Sequence, residues 1–168
     1  MKLRETLSLP LDPRGAAEMY ADPEYTEIRR RTLGASAASS TVSGQVEGAF
    51  TVSTELSMPT DRVPDMVRPF VGSAVTVREV QEWSAPGADG GRRGTMRLEV
   101  AGTPAGMTAT LTLSPAGAVG SRVEIDGDLV AKVPLLGPRL EKAAVPYISK
   151  VLRAEEKAAT TYQESVAG

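Results

Sequence analysis

The sequence predicts an α+β fold in which a curved antiparallel sheet of about seven strands wraps around one long C-terminal helix. From about residue 36 to residue 129, apolar side chains alternate with polar ones, as in strands with one buried face. From residue 137 to about residue 164, apolar residues recur every three or four positions, as on a helix with one buried face. Two short helical stretches follow the first strand and precede the alternating region.

The opening of the chain gives the first strand and both short helices. Residues 3–9 are an extended apolar stretch, and Asp12 is a suitable N-cap for a helix over 13–20. A second helix follows over 24–33 and ends at Gly34, because glycine readily adopts the left-handed conformation of a helix C-terminus.

The middle of the chain is a series of strands separated by turns. A proline-rich segment over 59–64 interrupts the series, and residues 65–71 are predicted to form a short helical turn laid over the sheet. The turns are rich in glycine and proline. The predicted strands centre on residues 42–46, 50–56, 74–83, 95–100, 107–113 and 123–129.

The final helix has to cover the apolar face of the sheet. At ~1.5 Å per residue it reaches about 40 Å, whereas six or seven strands at ~4.8 Å spacing span about 30 Å. Pro146 lies inside the helical pattern, so it either kinks the helix or starts a second segment. Aromatic residues make up only 4% of the chain, and such small side chains leave either a thin core or a cavity.

The composition excludes several kinds of chemistry. The chain contains no histidine and no cysteine, so it cannot form a histidine-dependent relay, a zinc site with imidazole or thiolate ligands, or a disulfide. The net charge is −2 and the basic residues are scattered, which argues against nucleic acid as a partner. The arginine runs at 29–31 and 92–93 are interpreted as solvated surface.

We expect a cytoplasmic protein without stable membrane insertion. The first residues carry charges where a secretory signal needs an apolar run, and nothing approaches the ~18 consecutive apolar residues of a membrane-spanning helix. No cofactor and no metal site are predicted. The oligomeric state is left open.

Several short motifs have a recognisable order. A strand that ends in a V-P-L-x-G turn and enters the last helix with L-E-K is the most specific of them. The motifs are Met58-Pro59, Val63-Pro64, Phe70-Val71-Gly72, Glu82-Trp83, Gly102-Thr103-Pro104, and the run from Gly127 to Gly137 followed by Leu140-Glu141-Lys142. With these motifs the sequence resembles a bacterial family of unsettled activity within the START, polyketide-cyclase and birch-pollen-allergen superfamily (SRPBCC proteins), whose members have the helix-grip fold.

The resemblance implies that residues 1–168 form a single START-like domain with an internal cavity for a lipid, sterol, polyketide or quinone-like ligand. No catalytic residues can be transferred from the family. Combined with strand parity and helix spacing, the resemblance predicts a set of ligand-binding residues. They are Val52, Gln81, Trp83, Met96, Leu98, Met107, Leu111, Val123, Ile125, Leu140, Ala144, Tyr147 and Val151.

Among these residues, Tyr147, Trp83 and Gln81 are the predicted polar contacts to the ligand, with Trp83 at the cavity mouth or in the core. The segment 61–72 and the turn before the last helix are the predicted gates.

Charged residues on the predicted strands allow two interpretations. A group of glutamates and arginines forms either exposed cross-strand ion pairs or a buried pair that polarises a ligand. A second group of carboxylates is interpreted as a solvated outer face rather than a cation site. The first group is Arg78, Glu79, Glu82, Arg97 and Glu99, and the second is Glu124, Asp126 and Asp128.

Two alternatives to ligand binding stay open. A cyclase- or aromatase-like enzyme would use Glu, Tyr or Arg side chains that point into a connected cavity. A protein-interaction module would instead show a collapsed interior and an exposed apolar patch of several hundred Å².

Overall fold

The computed structural model describes residues 1–167, and only the backbone of residue 62. Within residues 1–167, seven strands, three α-helices and two 3-10 turns follow one another. Their order is β1 (Lys2–Leu9), α1 (Pro13–Tyr20), α2 (Pro23–Leu33), β2 (Ala37–Gly44), β3 (Phe50–Pro59), the 3-10 turns Thr60–Arg62 and Arg68–Phe70, β4 (Ala74–Trp83), β5 (Arg92–Val100), β6 (Ala105–Ala116), β7 (Gly120–Ala131) and α3 (Gly137–Ala167).

All seven strands belong to one antiparallel sheet with the order β1-β7-β6-β5-β4-β3-β2. The strands β2 to β7 are sequential neighbours joined by turns, whereas β1 crosses over to pair with β7, with Lys2 opposite Asp128. The register of β3 and β4 places Phe50 opposite Trp83. The predicted α+β fold is confirmed.

Side-chain caps explain where the two short helices begin and end. Asp12 accepts a hydrogen bond from the backbone N–H of Gly15 at 2.7 Å, and Asp22 accepts one from that of Glu24 at 2.9 Å. Gly34 ends α2 with a φ of 69°, a conformation that costs glycine little. These caps fix α1 and α2 beside the sheet.

The helix α3 supplies the apolar surface that covers the sheet. It is one helix from Gly137 to Ala167 that contains Pro146, so of the two alternatives predicted for this proline, the start of a second segment is wrong. Pro146 is exposed and has no N–H to donate to the carbonyl of Lys142. None of the helices within residues 1–167 is long and apolar enough to cross a membrane. The buried residues of α3 are Gly137, Leu140, Ile148, Val151, Leu152, Glu155, Ala158, Ala159 and Tyr162.

Trp83 lies over a glycine of the neighbouring strand. In the register of β4 and β5 it is opposite Gly94, and a Cβ added to Gly94 would lie 2.9 Å from Cε3 of Trp83 and 2.7 Å from the carbonyl oxygen of Glu82. A side chain at this position would displace the indole or the strand. Gly94 is therefore required by the close approach of the ring.

We expect Gly94→Ala to lower the free energy of unfolding by about 2 kcal/mol, the usual cost of overpacking a core. Gly72→Ala is the matched control, because a Cβ at Gly72 meets nothing within 4 Å. Urea denaturation of both variants provides the measurement. Equal stability of the two variants would contradict the packing described for Trp83.

Candidate functional site

An apolar cavity of about 60 Å³ lies at the end of the sheet where β4 begins and β5 ends. Strand ends form one side, residues 63–71 and 103–105 cover it, and the first half of α3 closes it. The described residues present an apolar surface to this space. The cavity is lined by Val63, Pro64, Val67, Phe70, Val71, Val75, Val100, Thr103, Pro104, Ala105, Leu129, Ala131, Val133, Leu140, Glu141, Ala144, Tyr147 and Ile148.

The segment over 60–71, called here the cover segment, is held together internally. Its backbone bonds include Val63 N–H to the carbonyl of Thr60 at 3.1 Å and Phe70 N–H to that of Val67 at 2.9 Å. Arg68 donates to the carbonyl of Thr60 at 3.2 Å. All hydrogen bonds described for the cover segment run within it. Apolar contacts, such as those of the buried Val63, join it to the core.

A wider groove of about 580 Å³ opens to solvent beside the cavity, between α3 and the end of α2. Pro64 and Tyr147 line both spaces and form the wall between them. The other residues along the groove are Thr32, Leu33, Met58, Ala143, Pro146, Lys150, Val151 and Ala154.

A buried polar cluster lies farther along α3 and joins three elements. Arg29 of α2 donates from Nη1 and Nη2 to the two carboxylate oxygens of Glu79 in β4, at 3.2 and 3.3 Å. Its Nη2 lies 3.8 Å from Oε1 of Glu155 in α3. The exposed fractions of Arg29, Glu79 and Glu155 are 4%, 3% and 1%. This ion pair therefore ties two helices to the centre of the sheet.

Hydrogen bonds extend the cluster along the inner face of β4. Gln81 donates from Nε2 to Glu79 Oε1 at 3.1 Å, and Trp83 donates from Nε1 to Gln81 Oε1 at 3.0 Å. The ring of Trp83 stacks on Tyr20, with centroids 5.5 Å apart, and the Tyr20 hydroxyl donates to Glu155 Oε2 at 3.3 Å. Hydrogen bonds and one stacked ring pair together connect β4 through Tyr20 to α3.

Three buried atoms of this region have no hydrogen-bond partner among the described residues. They are the Tyr25 hydroxyl, Nε of Arg29 and Oε1 of Glu155. Buried polar atoms are usually paired, so unpaired ones lower the stability of a fold. The carboxyl of Glu155 carries most of this cost when it is ionised, since one arginine faces two carboxylates.

Burial raises the pKa of the Glu155 carboxyl to about 7, against the opposing effect of Arg29 and with the added effect of Glu79. Burial also raises the pKa of Tyr20 and Tyr25 well above the usual value for tyrosine. For Arg29, burial favours a lower pKa, but the two carboxylates outweigh it and the pKa lies above its ordinary value. The Glu155 carboxyl therefore titrates near neutral pH.

The structure distributes the predicted ligand-binding residues over three places. Leu140, Ala144 and Tyr147 line the apolar cavity, and Val151 joins Tyr147 along the groove. Gln81 and Trp83 belong to the buried polar cluster, and the indole N–H of Trp83 is used within it. The remaining predicted residues are buried in the core away from the cavity lining: Val52, Met96, Leu98, Met107, Leu111, Val123 and Ile125.

The prediction that the arginine runs are solvated is wrong for one residue of each run. Arg29 is buried against Glu79, and Arg92 is 5% exposed and donates to the carbonyls of Val46, Gly48 and Ser84. The spacing of Tyr25, Arg29 and Leu33, four residues apart on α2, is the signal that would have placed Arg29 on the buried face.

Glu155 was missed, and Glu79 was grouped with strand arginines rather than with its actual partner, Arg29 of α2. Glu79 has the strand parity of Val77 and Gln81, both of which the alternation places inside. Glu155 follows Val151 by four residues on the apolar face of α3. A carboxylate in an apolar register is thus a usable signal for a buried charge.

The other charged residues of the strands lie on the exposed face. Arg78 pairs with Glu55 at 3.2 Å, and Arg97 with Glu99 at 3.8 Å. The carboxylates of β7 are also solvated, with partners such as Arg4, which is 3.3 Å from Asp126. Such surface ion pairs contribute little to stability.

Residues 4–162 match the family described as "Protein of unknown function (DUF2505)". The chain belongs to this family. The match spans every strand from β2 to β7 and most of α3. The residues that line the cavity and those of the buried polar cluster all lie within the matched region. The comparison with curated protein sequences finds no match.

Solved structures similar to this DUF2505 chain share its fold, a curved antiparallel sheet around a long C-terminal helix. The Zhui aromatase/cyclase from Streptomyces sp. R1128 aligns with a TM-score of 0.65 and 13% identity, covering 100% of this chain and 96% of the other. A START superfamily protein from Mycobacterium smegmatis aligns with a TM-score of 0.55 and 12% identity, covering 96% and 98%.

Norcoclaurine synthase from Thalictrum flavum, in complex with dopamine and hydroxybenzaldehyde, aligns with a TM-score of 0.54 and 11% identity, covering 98% of this chain and 87% of the other. At these identities the likeness establishes the fold of the DUF2505 chain.

The raised pKa of Glu155 predicts a specific pH dependence of stability. The folded protein keeps this proton above the ordinary pKa of 4.5, so the associated stability is present at acid pH and is lost as the pH rises through about 7. The wild type should lose about 3 kcal/mol of its free energy of unfolding as Glu155 ionises, and Glu155→Gln should not show this loss. The variant should therefore be more stable than the wild type at pH ~8. Urea denaturation at a series of pH values from about 4 to 8 measures the free energy of unfolding of both proteins.

Glu164→Gln is the control for the same helix, because Glu164 is exposed near the end of α3. It should keep the wild-type pH profile. Parallel profiles for the wild type and Glu155→Gln would refute the assignment of the titrating group.

Proposed function

We propose that this protein binds a hydrophobic small molecule in the apolar cavity between the sheet and the first half of α3. The observation that carries the proposal is the cavity itself, an apolar space closed by a cover segment whose described hydrogen bonds all run within it. A ligand that displaces the segment breaks apolar contacts and replaces them with its own. The alignment of the whole chain with an aromatase/cyclase and a START superfamily protein supports the proposal.

The bound state requires the cover segment to move. Pockets for ligands of ordinary size measure roughly 300–1,000 Å³, whereas this cavity has about 60 Å³. Displacement of Pro64 and Tyr147, the shared wall, would join the cavity to the groove of about 580 Å³. The combined space suits a ligand with an apolar body and one end near solvent.

The energy of binding would come from apolar burial. At ~25 cal/mol per Å², burying about 400 Å² of ligand surface contributes about 10 kcal/mol before the cost of association is subtracted. Tyr147 at the wall and Lys150 on the groove offer polar groups at one end of the space. A lipid-like or polyketide-like molecule with a single polar end fits this arrangement.

The position of the polar cluster favours binding over catalysis. An enzyme of the cyclase type needs acid or base groups that face its substrate. Arg29, Glu79 and Glu155 are outside the cavity lining and are occupied with one another. Glu141 does line the cavity, but its carboxylate accepts hydrogen bonds from the N-terminal ammonium at 3.1 Å and from the backbone N–H of Ala131 at 3.2 Å. The mostly apolar lining of the cavity supports ligand binding rather than catalysis.

Ala144→Leu tests the site by filling the cavity. Ala144 lines it, and a larger apolar side chain there would occupy the ligand's place without creating a buried polar group. We expect at least a tenfold loss of affinity for the fluorescent probe anilinonaphthalene sulfonate, measured by titration of its fluorescence.

Ala167→Leu adds the same side chain at the exposed end of α3 and should bind the probe as the wild type does. Unchanged affinity in Ala144→Leu, with an intact fold, would show that ligands bind elsewhere or not at all.

A further inference from the structure

The turn between β7 and α3 holds an apolar side chain in solvent. Leu135 is 97% exposed, and its φ of 67° lies in the left-handed region that residues with a Cβ rarely adopt. The neighbouring Leu136 is 40% exposed. Neither contacts within the chain nor the local conformation accounts for leucine at position 135, so contact with another surface is the physical explanation to examine.

Further exposed apolar side chains lie at this end of the molecule. Met66 of the cover segment is 43% exposed and Val130 at the end of β7 is 39% exposed. The turn and the cover segment border the same cavity, since Val133 and Val67 both line it. We call Met66, Val130, Leu135 and Leu136 the apolar rim.

Positive charge surrounds the apolar rim. Lys132, Arg139 and Lys142 are exposed, and none of them has an ion pair among the described residues. The carboxylates at this end include Asp61, Asp65, Glu99, Asp128 and Glu141, and Glu99 pairs with Arg97 at 3.8 Å. Asp65 pairs with Arg68, and Asp128 and Glu141 both contact the N-terminal ammonium. The rim is thus locally cationic, although the net charge of the chain is −2.

We propose that the apolar rim docks on an anionic lipid bilayer. Leu135 and Leu136 would enter the boundary between headgroups and acyl chains, while Lys132, Arg139 and Lys142 contact the headgroups. A second copy of the chain fits less well, because two cationic rims would repel each other. Docking in this orientation turns the cover segment toward the lipid, but it depends on the rim alone and does not require a ligand in the cavity.

Vesicle co-sedimentation tests the proposal, with vesicles of phosphatidylcholine alone and with about half phosphatidylglycerol. We expect the wild type to partition at least tenfold more strongly onto the anionic vesicles and to be released by salt, since each cation near the surface contributes about fivefold. Leu135→Asn should reduce binding about tenfold and keep the fold, because asparagine tolerates the left-handed conformation. Lys142→Glu should also weaken binding.

Val119→Asn is the matched control. Val119 is 75% exposed in the turn between β6 and β7, at the opposite end of these strands from the rim. It should bind vesicles as the wild type does. The cavity variant Ala144→Leu should do the same, which separates failure of docking from failure of ligand binding.

Three outcomes would overturn the proposal. The first is equal partitioning of the wild type onto both kinds of vesicle, and the second is an equal loss in Val119→Asn and Leu135→Asn. The third is a concentration-dependent dimer, measured by light scattering, that Leu135→Asn abolishes. That result would assign the rim to contact between copies of the chain.

Discussion

The inner face of the sheet is apolar apart from a few buried polar side chains, Glu79 and Gln81 of β4 among them, and α3 has to cover it. The space between the sheet and α3 is packed differently at its two ends. Near the C-terminal half of α3, aromatic rings and an ion pair occupy the space, with Trp83, Tyr20 and Tyr25 in successive contact. Near the N-terminal half, small residues such as Ala144 leave a cavity that the cover segment closes. The two ends of one interior thereby acquire different properties.

The ion pair of Arg29 and Glu79, extended to Glu155, makes one end of this interior rigid. Arg29 binds both carboxylate oxygens of Glu79, and both side chains are almost entirely buried. A movement of α2 against β4 would therefore leave a buried charge without its partner. No comparable tie is described between the cover segment and the sheet. The opening proposed for ligand entry therefore lies at the end of the interior where the cavity is, away from the ion pair that joins α2 and α3 to β4.

The sequence was sufficient to predict the elements and their order, because strand and helix periods are local properties of the chain. Leu140, Ala144 and Tyr147 were correctly placed on the inner face of the last helix by their spacing. The burial of Arg29 is not evident from its charge, because its partner Glu79 is 50 residues away in the sequence and only the fold brings the two together. The cavity could not be located at one end, since its place depends on how side chains from distant strands fill a shared volume.

The central claim is that a ligand binds at the covered end of the interior. Methyl NMR spectra recorded while anilinonaphthalene sulfonate is added test it most directly. The account predicts shifts and intermolecular contacts for Val67, Val71 and Leu140, which line the cavity, and none for Leu9 or Leu113 at the far end of the strands. Shifts confined to the far end, or absent from the cavity residues at saturation, would contradict it.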